Sequence, residues 1–294
     1  MHLIIPTLNA GPMWREVIRA IQSQQGISTQ VLVVDSDSTD DTVLWAQEAG
    51  WRVVGIEPSS FNHGGTRQWA IDLLEAESKN ELDFVVFMTQ DAILHGAEAL
   101  MRLMEPFRDQ QVAGVYGRQL PHVNATPYAA SLRALNYPAM SLRKRFKDKD
   151  QLGLKTAFFS NSFGAYRIDA LKAIGGFPSS VPLGEDMYVC AKMLMAGYEI
   201  QYCAESMVMH SHNFTYREEF KRYQATGAFH AQESWLLATF GEVSHEGSTT
   251  MKRQFSAYKQ LQSNNKLIPY LDLFYRNFLK FMAYYLGRFT HTRV

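Results

Sequence analysis

The sequence predicts an α/β fold, a mostly parallel, doubly wound sheet with helices on both faces. Two observations carry this reading. Over the first 120 residues short β-rich runs alternate with segments whose apolar residues recur at helical spacing. The runs themselves, such as Val31-Leu32-Val33-Val34 and Phe84-Val85-Val86-Phe87, are continuously apolar, the pattern of central strands covered on both sides. The whole chain of 294 residues is 46% hydrophobic and 20% charged, so a large core is available and disorder is not expected.

In chain order, the predicted strands are His2–Pro6, Gln30–Asp35, Arg52–Ile56, Asp83–Met88 and Val112–Gly117, with Ser206–Met209 further on. Helical spacing marks Met13–Gln24, Asp40–Gly50, Gly64–Ala76, Ala97–Phe107 and Met187–Ala196. After about residue 215 the pattern is helical, which predicts a division into 1–215 and a helical extension 216–294. Within the extension, Leu267–Phe289 is amphipathic. Asp272, Arg276 and Lys280 recur four apart, and Leu271, Phe274, Phe278, Met282, Tyr285 and Phe289 form an aromatic-rich opposite face. Such a face either packs on the rest of the chain or on a second copy as a homodimer, or lies on a membrane surface. It is too charged to span a bilayer.

The 29 basic residues cancel the 29 acidic ones, which excludes the charge footprint of a nucleic-acid-binding protein. Cys190 and Cys203 are too few for a disulfide scaffold and read as small core side chains. The start, MHLIIPTLNAGP, shows neither a basic leader nor a cleavage site, so a cytoplasmic location is expected.

Ligands of open α/β sheets bind outside the carboxyl ends of the strands. Delivered there are Pro6, Thr7, Asn9 and Gly11, then Asp35-Ser36-Asp37-Ser38-Thr39-Asp40-Asp41, then Thr89-Gln90-Asp91. Asp35 and Asp91 close buried strands and read as ligand contacts, whereas Asp40 and Asp41 read equally well as helix caps. In His63-Gly64-Gly65-Thr66-Arg67 two glycines permit close backbone approach and a helix start favours anions. Trp69 is expected in the core. His210 and His212 are two apart, a spacing that does not say which one faces a site, and no companion Cys or His pair supports zinc. The run Arg143-Lys144-Arg145-Phe146-Lys147 suits an anionic lipid or diphosphate, or, with Asp148 and Asp150, a solvated loop.

PTLNAG, VLVVDSDSTDDT, TQDA and LGEDMYVCAKMLMAGYEI occur in the order found in family 2 inverting glycosyltransferases of the A-type nucleotide-sugar-binding fold, which the sequence resembles over roughly residues 1–240. FNHGGTRQWA looks like the FNHGGTRN signature of bacterial rhamnosyltransferases using dTDP-L-rhamnose, and KRYQATGAFHAQESWL is similar to the same group.

The resemblance implies a divalent cation, Mg²⁺ or Mn²⁺, that stabilises a departing diphosphate. Asp91, the only acid of the degenerate Gln90-Asp91-Ala92, and His212 are its implied ligands. The donor is implied to lie on Pro6, Thr7 and Asn9, with its base at Asp35, Ser36 or Asp37. His63, Gly64, Gly65 and Gln90 are further implied donor contacts, Arg67 binds the diphosphate or packs over the base, and Arg222 grips the diphosphate. Asp186 is the implied base that takes the acceptor's proton, and Glu185 positions it or touches the acceptor. The implied partners are a nucleotide-sugar donor and a glycan or lipid-diphosphate-linked glycan acceptor, with the enzyme peripheral on the inner face of the cell membrane. Two alternatives remain: a transferase for another dTDP- or UDP-linked sugar, and a non-catalytic nucleotide-sugar-binding scaffold. A nucleotidyltransferase is disfavoured because Thr7–Pro12 holds no basic residue.

Overall fold

The structure, a computed structural model, describes residues 1–78, 82–242, 256 and 267–291. Its strands are β1 (His2–Thr7), β2 (Gln30–Asp35), β3 (Arg52–Gly55), β4 (Phe84–Met88), β5 (Ile93–His95), β6 (Val112–Leu120), β7 (Leu142–Lys144), β8 (Phe163–Arg167) and β9 (Glu199–Met209). The helices are α1 (Trp14–Gln22), α2 (Thr42–Glu48), α3 (His63–Glu77), α4 (Ala99–Met104), α5 (Pro127–Asn136), α6 (Lys149–Leu152), α7 (Ile168–Ala173), α8 (Glu185–Met195), α9 (Tyr216–Gln232), α10 (Ser234–Phe240) and α11 (Leu267–His291). The helical pattern read over 97–107 gives only α4 followed by a 3₁₀ turn, Glu105–Arg108, because Pro106 cannot continue the α-helical ladder.

One sheet runs in the order β3-β2-β1-β4-β8-β6-β9-β5, with β7 beside β9. Strands β3, β2, β1 and β4 are parallel, and so are β6 and β9. Between these two parallel groups sits β8, antiparallel to both β4 and β6. The sequence reading missed this reversed strand, together with β5 and β7, and found only the end of β9. The reversal matters for function. The start of β8 lies beside the end of β4, with Phe163 opposite Met88, so the loop before β8 joins the rim formed by the carboxyl ends of the parallel strands.

The continuously apolar strands serve two cores, as their pattern predicts. Ile4, Leu32, Val34, Val85 and Phe87 face one core, with α3, α7 and α8 over it, and Leu3, Ile5, Val31, Val33, Val86 and Met88 face the other, under α1 and α4. Cys190 and Cys203 are buried and unbridged. Trp69, expected inside, is 40% exposed on α3. The basic run at 143–147 is no open cationic patch: Arg143 pairs with Asp109 and Glu199, Arg145 pairs with Glu199, and Lys144 is buried with its ammonium donating to the Phe158 carbonyl.

Helix α11 packs along α9 in the same direction, Tyr216 meeting Asp272 near the start and Gly227 meeting Tyr284 further along. A Cβ on Gly227 would lie 2.0 Å from the Tyr284 carbonyl oxygen, so backbone meets backbone at this crossing. The orientation of α11 inverts ordinary amphipathicity. Its charged stripe faces α9, where the buried Glu219 receives Arg276 at 3.0 Å, Lys280 at 3.2 Å and the Tyr128 hydroxyl. The aromatic face points outward: Leu271, Phe274, Tyr275, Phe278, Phe281 and Met282 are all exposed, Phe274 by 62%. No residue among the described exposed positions of α11 is charged. Of the six residues that the sequence places on this face, Tyr285 alone is half-buried, at its edge. No helix among the described residues is long and apolar enough to cross a membrane.

Candidate active site

The functional side chains gather where the topology sends them, at the ends of β1, β2, β4, β6 and β9 and the start of β8. At the β1 and β2 ends the polar residues mostly hold one another. The Asp35 carboxylate accepts from the Thr7 hydroxyl at 2.8 Å, the Ser38 amide at 2.8 Å and the Ser38 hydroxyl at 2.6 Å. Asn9, left-handed at φ 46, donates its amide to Ser38 and accepts from the Thr39 amide. Asp40 caps locally: its oxygens take the Thr42 and Gly11 amides, and the Thr42 and Gly11 bonds outweigh burial in lowering its pKa. Half-buried Pro6 lines the same strand end, Ser36 is buried with an unpaired hydroxyl, and Asp37 is exposed at φ 66. Gln90 ties the β4 end to this loop, accepting from the Leu8 amide at 2.7 Å and donating to the Leu8 carbonyl at 3.1 Å.

Beyond Gln90, three metal-binding groups converge. Asp91 lies 3.5 Å from His210 Nε2 and 3.6 Å from His212 Nδ1, and the donor atoms of the three lie within 4.8 Å of one another. Burial alone would raise the Asp91 pKa, but the hydrogen bond and charge of His210 and the charge of His212 pull it far below the usual carboxylate range. The ring of His212 is held to about 4, by burial first and then by His210. His210 is almost fully buried and His212 is open to solvent, so the two histidines form the inner and outer walls of one centre. His122 sits beside it, half-buried, with its pKa lowered by burial and by His210.

The acid pair opens α8. Gly184 caps the helix at φ 83, where a Cβ would also strike the Phe229 ring at 2.7 Å, so the Gly-Glu-Asp start demands its glycine. Glu185 is buried against Arg67 at 3.2 Å and accepts from the Asn161 side-chain amide at 2.9 Å. Burial opposes its ionisation, but Arg67 and then Asn161 outweigh it and lower its pKa. Asp186 is half-buried and shifted the other way, upward, by burial and by the charge of Glu185. Its oxygens accept from the Met187 amide at 2.8 Å and the Asn161 amide at 3.3 Å.

Arg67 therefore turns inward: it is 3% exposed, bonded to the His63 carbonyl and to Glu185, and does not stand at the open rim. Gly64 and Gly65 open α3, but Asn62 accepts both of their amides, and a Cβ on Gly64 would lie 1.9 Å from the Pro178 carbonyl oxygen. Gly64 serves the packing of α3 on the loop before α8, whereas a Cβ on Gly65 would come no closer than 3.5 Å to its neighbours. The exposed cation is Arg222 on α9, over the Phe214 ring at 5.7 Å; its charge lowers the pKa of His63, His212 and Arg133, though burial is the larger cause at each.

Asn161, Gln119, Arg133 and Tyr137 were not singled out in the sequence. Asn161 lies in FFSNSFG and could have been sought there; nothing local distinguishes the others. Gln119 joins the two halves of the site: its oxygen lies 2.9 Å from His210 Nδ1, and its amide donates to the Ser160 hydroxyl at 2.9 Å, next to Asn161. Asp91 and Asp186 are thus connected along one rim. Such an arrangement can bind a divalent cation on one side and accept a proton on the other.

The sequence model described as "Glycosyltransferase like family 2" matches residues 1–226. The O-antigen chain rhamnosyltransferase WbaN of Salmonella anatum is 45% identical over 97% of this chain and 88% of its own length. The O-antigen chain rhamnosyltransferase RfbN of Salmonella typhimurium is 42% identical over the same shares. Among solved structures, the mannosyltransferase PcManGT of Pyrobaculum calidifontis, in complex with GDP-Man and Mn²⁺, superposes with a TM-score of 0.64 at 16% identity, over 98% of this chain and 86% of that one. S. aureus TarS 1-349 in complex with UDP-GlcNAc gives 0.55 at 14% identity, over 99% and 91%. These likenesses show the A-type glycosyltransferase fold. With its family matched across most of its length and two relatives above 40% identity along nearly all of it, this chain belongs to glycosyltransferase family 2 and is a glycosyltransferase.

Proposed function

We propose that the enzyme is inverting and metal-dependent, and that it transfers L-rhamnose from dTDP-L-rhamnose to a growing bacterial surface glycan carried on a lipid diphosphate. The observation that carries the chemistry is the rim itself, with Asp91, His210 and His212 at one end, Glu185 and Asp186 at the other, and Gln119, Ser160 and Asn161 between them. The names of the two Salmonella relatives support rhamnose as the sugar and an O-antigen chain as the product.

The donor set fits a divalent cation, one carboxylate and two imidazoles facing a common point, and two nitrogen donors favour Mn²⁺ over the oxygen-seeking Mg²⁺. A bound cation would supply Lewis-acid stabilisation of the departing diphosphate. Asp186, the less acidic of the pair, accepts the proton of the acceptor hydroxyl as its oxygen attacks the anomeric carbon and the bond to the diphosphate breaks on the opposite face. Glu185, ionised against Arg67, keeps Asp186 basic. Arg222 adds positive charge above the diphosphate side. Pro6, Thr7, Asn9, Asp35, Ser36 and Asp37 form the wall for the nucleoside, and His63 lies within electrostatic reach of Glu185 and Arg222. The outward aromatic face of α11 lies on the membrane surface, since a lipid-linked acceptor is presented there and α9 carries both Arg222 and the α11 contact.

The test is release of dTDP on mixing the protein with dTDP-L-rhamnose, a lipid-linked acceptor and Mn²⁺. Acceptor-dependent release, abolished by Asp186→Asn, is expected. Release from a UDP-hexose instead would replace the donor, and donor binding without turnover on any acceptor would make the chain a binding scaffold.

A further inference from the structure

We propose that Gln119 is a positioning residue for the metal centre, fixing the His210 ring so that the Nε2 lone pair faces Asp91. The inference rests on the metal reading above. Gln119 is 2% and His210 5% exposed, so neither side chain has solvent as an alternative partner. The Gln119 oxygen is pinned by the Arg133 guanidinium, and its amide nitrogen is committed to the Ser160 hydroxyl. Exchanging the two ends of the amide would set its NH₂ against the Arg133 guanidinium, donor against donor. What it presents to His210 Nδ1, 2.9 Å away, is an acceptor. A neutral ring must then carry its proton on Nδ1 and leave Nε2 bare.

Bare Nε2 sits 3.5 Å from a carboxylate oxygen that is also an acceptor. Something positive is favoured between these two acceptors, a proton on Nε2 or a cation shared with His212, and the bond at Nδ1 leaves Nε2 as the nitrogen that a cation would take. Ligating histidines commonly have their other nitrogen held in this way, which orients the ring and raises its basicity. Here a neutral carboxamide does so, itself held by an arginine. The Ser160 bond ties the same carboxamide to the residue before Asn161, whose amides hold Glu185 and Asp186. A distortion at Gln119 reaches the acid pair as well as the metal.

The experiment measures Mn²⁺ affinity of the full chain without donor, from the electron paramagnetic resonance signal of the free ion. Gln119→Met keeps the volume and removes the acceptor, and should weaken Mn²⁺ binding by about 10- to 100-fold. Gln119→Glu keeps an acceptor oxygen at the same reach and should restore affinity. Wild-type affinity in Gln119→Met overturns the proposal, and so does an equal loss in the Met and Glu variants, which would signal packing alone. If Gln119→Met does not fold, Gln119→Asn takes its place: it draws the oxygen back by one methylene and must show the loss, and unchanged affinity there overturns the proposal. Failure of the metal reading looks different, since the wild type would then bind no Mn²⁺, or Asp91→Asn would bind it equally well.

Discussion

Arg67 and Glu185 form a 3.2 Å ion pair beneath the rim, with side chains 4% and 7% exposed, and the pair sets two neighbouring carboxylates on opposite courses. Glu185 is held ionised by the guanidinium, while Asp186, half-buried beside that fixed negative charge, is pushed upward to about 7. Divergent acids are how a site keeps one carboxylate as a fixed charge and the other as a base near its working pH. As the base, Asp186 must be ionised, so kcat/KM should fall as pH drops through neutrality. Glu185→Gln removes the charge that raises Asp186 and should move this acid limb to lower pH. A pH–rate profile of the two proteins, taken well below the variant's melting temperature, checks it; an unmoved limb would remove Glu185 from this role.

The raised pKa also has a stability consequence with a definite sign. A carboxyl whose folded pKa exceeds its unfolded value stabilises the fold while protonated, and that contribution is lost as pH climbs from the unfolded to the folded value. For Asp186 the window runs from about 4 to about 7. Asp186→Asn cannot ionise, so its melting temperature relative to wild type should rise across this window while turnover is lost. Parallel pH dependences of the two melting temperatures would contradict the shift.

How far the sequence disclosed this site depends on what each residue does. Asp91, Glu185 and Asp186 were legible because they close a strand or open a helix next to diagnostic neighbours. The paired glycines and Arg67 were visible too, but their burial was not. Whether Arg67 points to solvent or to Glu185 depends on α3 packing against the loop before α8, where Gly64 meets the Pro178 carbonyl. Gln119 left no local trace, because His210 is 91 residues away and is brought near by the parallel pairing of β6 with β9. Asn161 sits in a segment that could be searched, but its partners, 24 and 25 residues on, are reached only where the loop before β8 meets the start of α8. The sequence leaves open which face of α11 turns inward, for a similar reason. Its charged stripe reads as solvent-facing until Glu219, buried on α9, supplies the counter-charge.

Metal dependence can be separated from packing at Asp91. The carboxylate is held ionised across the physiological range, so it needs no deprotonation to bind a cation. Chelation with EDTA should abolish turnover, Mn²⁺ should restore it at lower concentration than Mg²⁺, and Asp91→Asn should cost at least about 10²-fold in kcat at saturating Mn²⁺. Turnover that survives both EDTA and Asp91→Asn would remove the cation from the mechanism.

Glu219 is the electrostatic pin of the helical extension. Replacing it with Gln leaves the buried Lys280 and the half-buried Arg276 without their shared counter-charge, although Arg276 keeps Asp272 at 3.1 Å. A broken buried ion pair costs about 3–5 kcal/mol, and Glu219→Gln should lose that much in urea unfolding. A loss no larger than that of an exposed pair such as Arg102 with Glu98 would show that α11 is held by the close α9 crossing instead.

The outward face of α11 gives the last test. Leu271, Phe274, Tyr275, Phe278, Phe281 and Met282 present aromatic and aliphatic side chains with no charge among them, while Arg276 and Lys280 are turned toward α9. An interfacial helix lays such a face into the boundary between headgroups and acyl chains. The protein should co-sediment with vesicles of phosphatidylethanolamine and phosphatidylglycerol. Replacing Phe274, Phe278 and Phe281 together by Gln should abolish co-sedimentation and leave the melting temperature nearly unchanged, because these rings are more than half exposed and Phe281 rests on Tyr285 of its own helix. Turnover on a lipid-linked acceptor should fall, while turnover on a water-soluble acceptor glycan should not. Equal sedimentation of both proteins would sink the assignment, and a wild-type dimer that the triple substitution dissociates would give the face to a second copy of the chain.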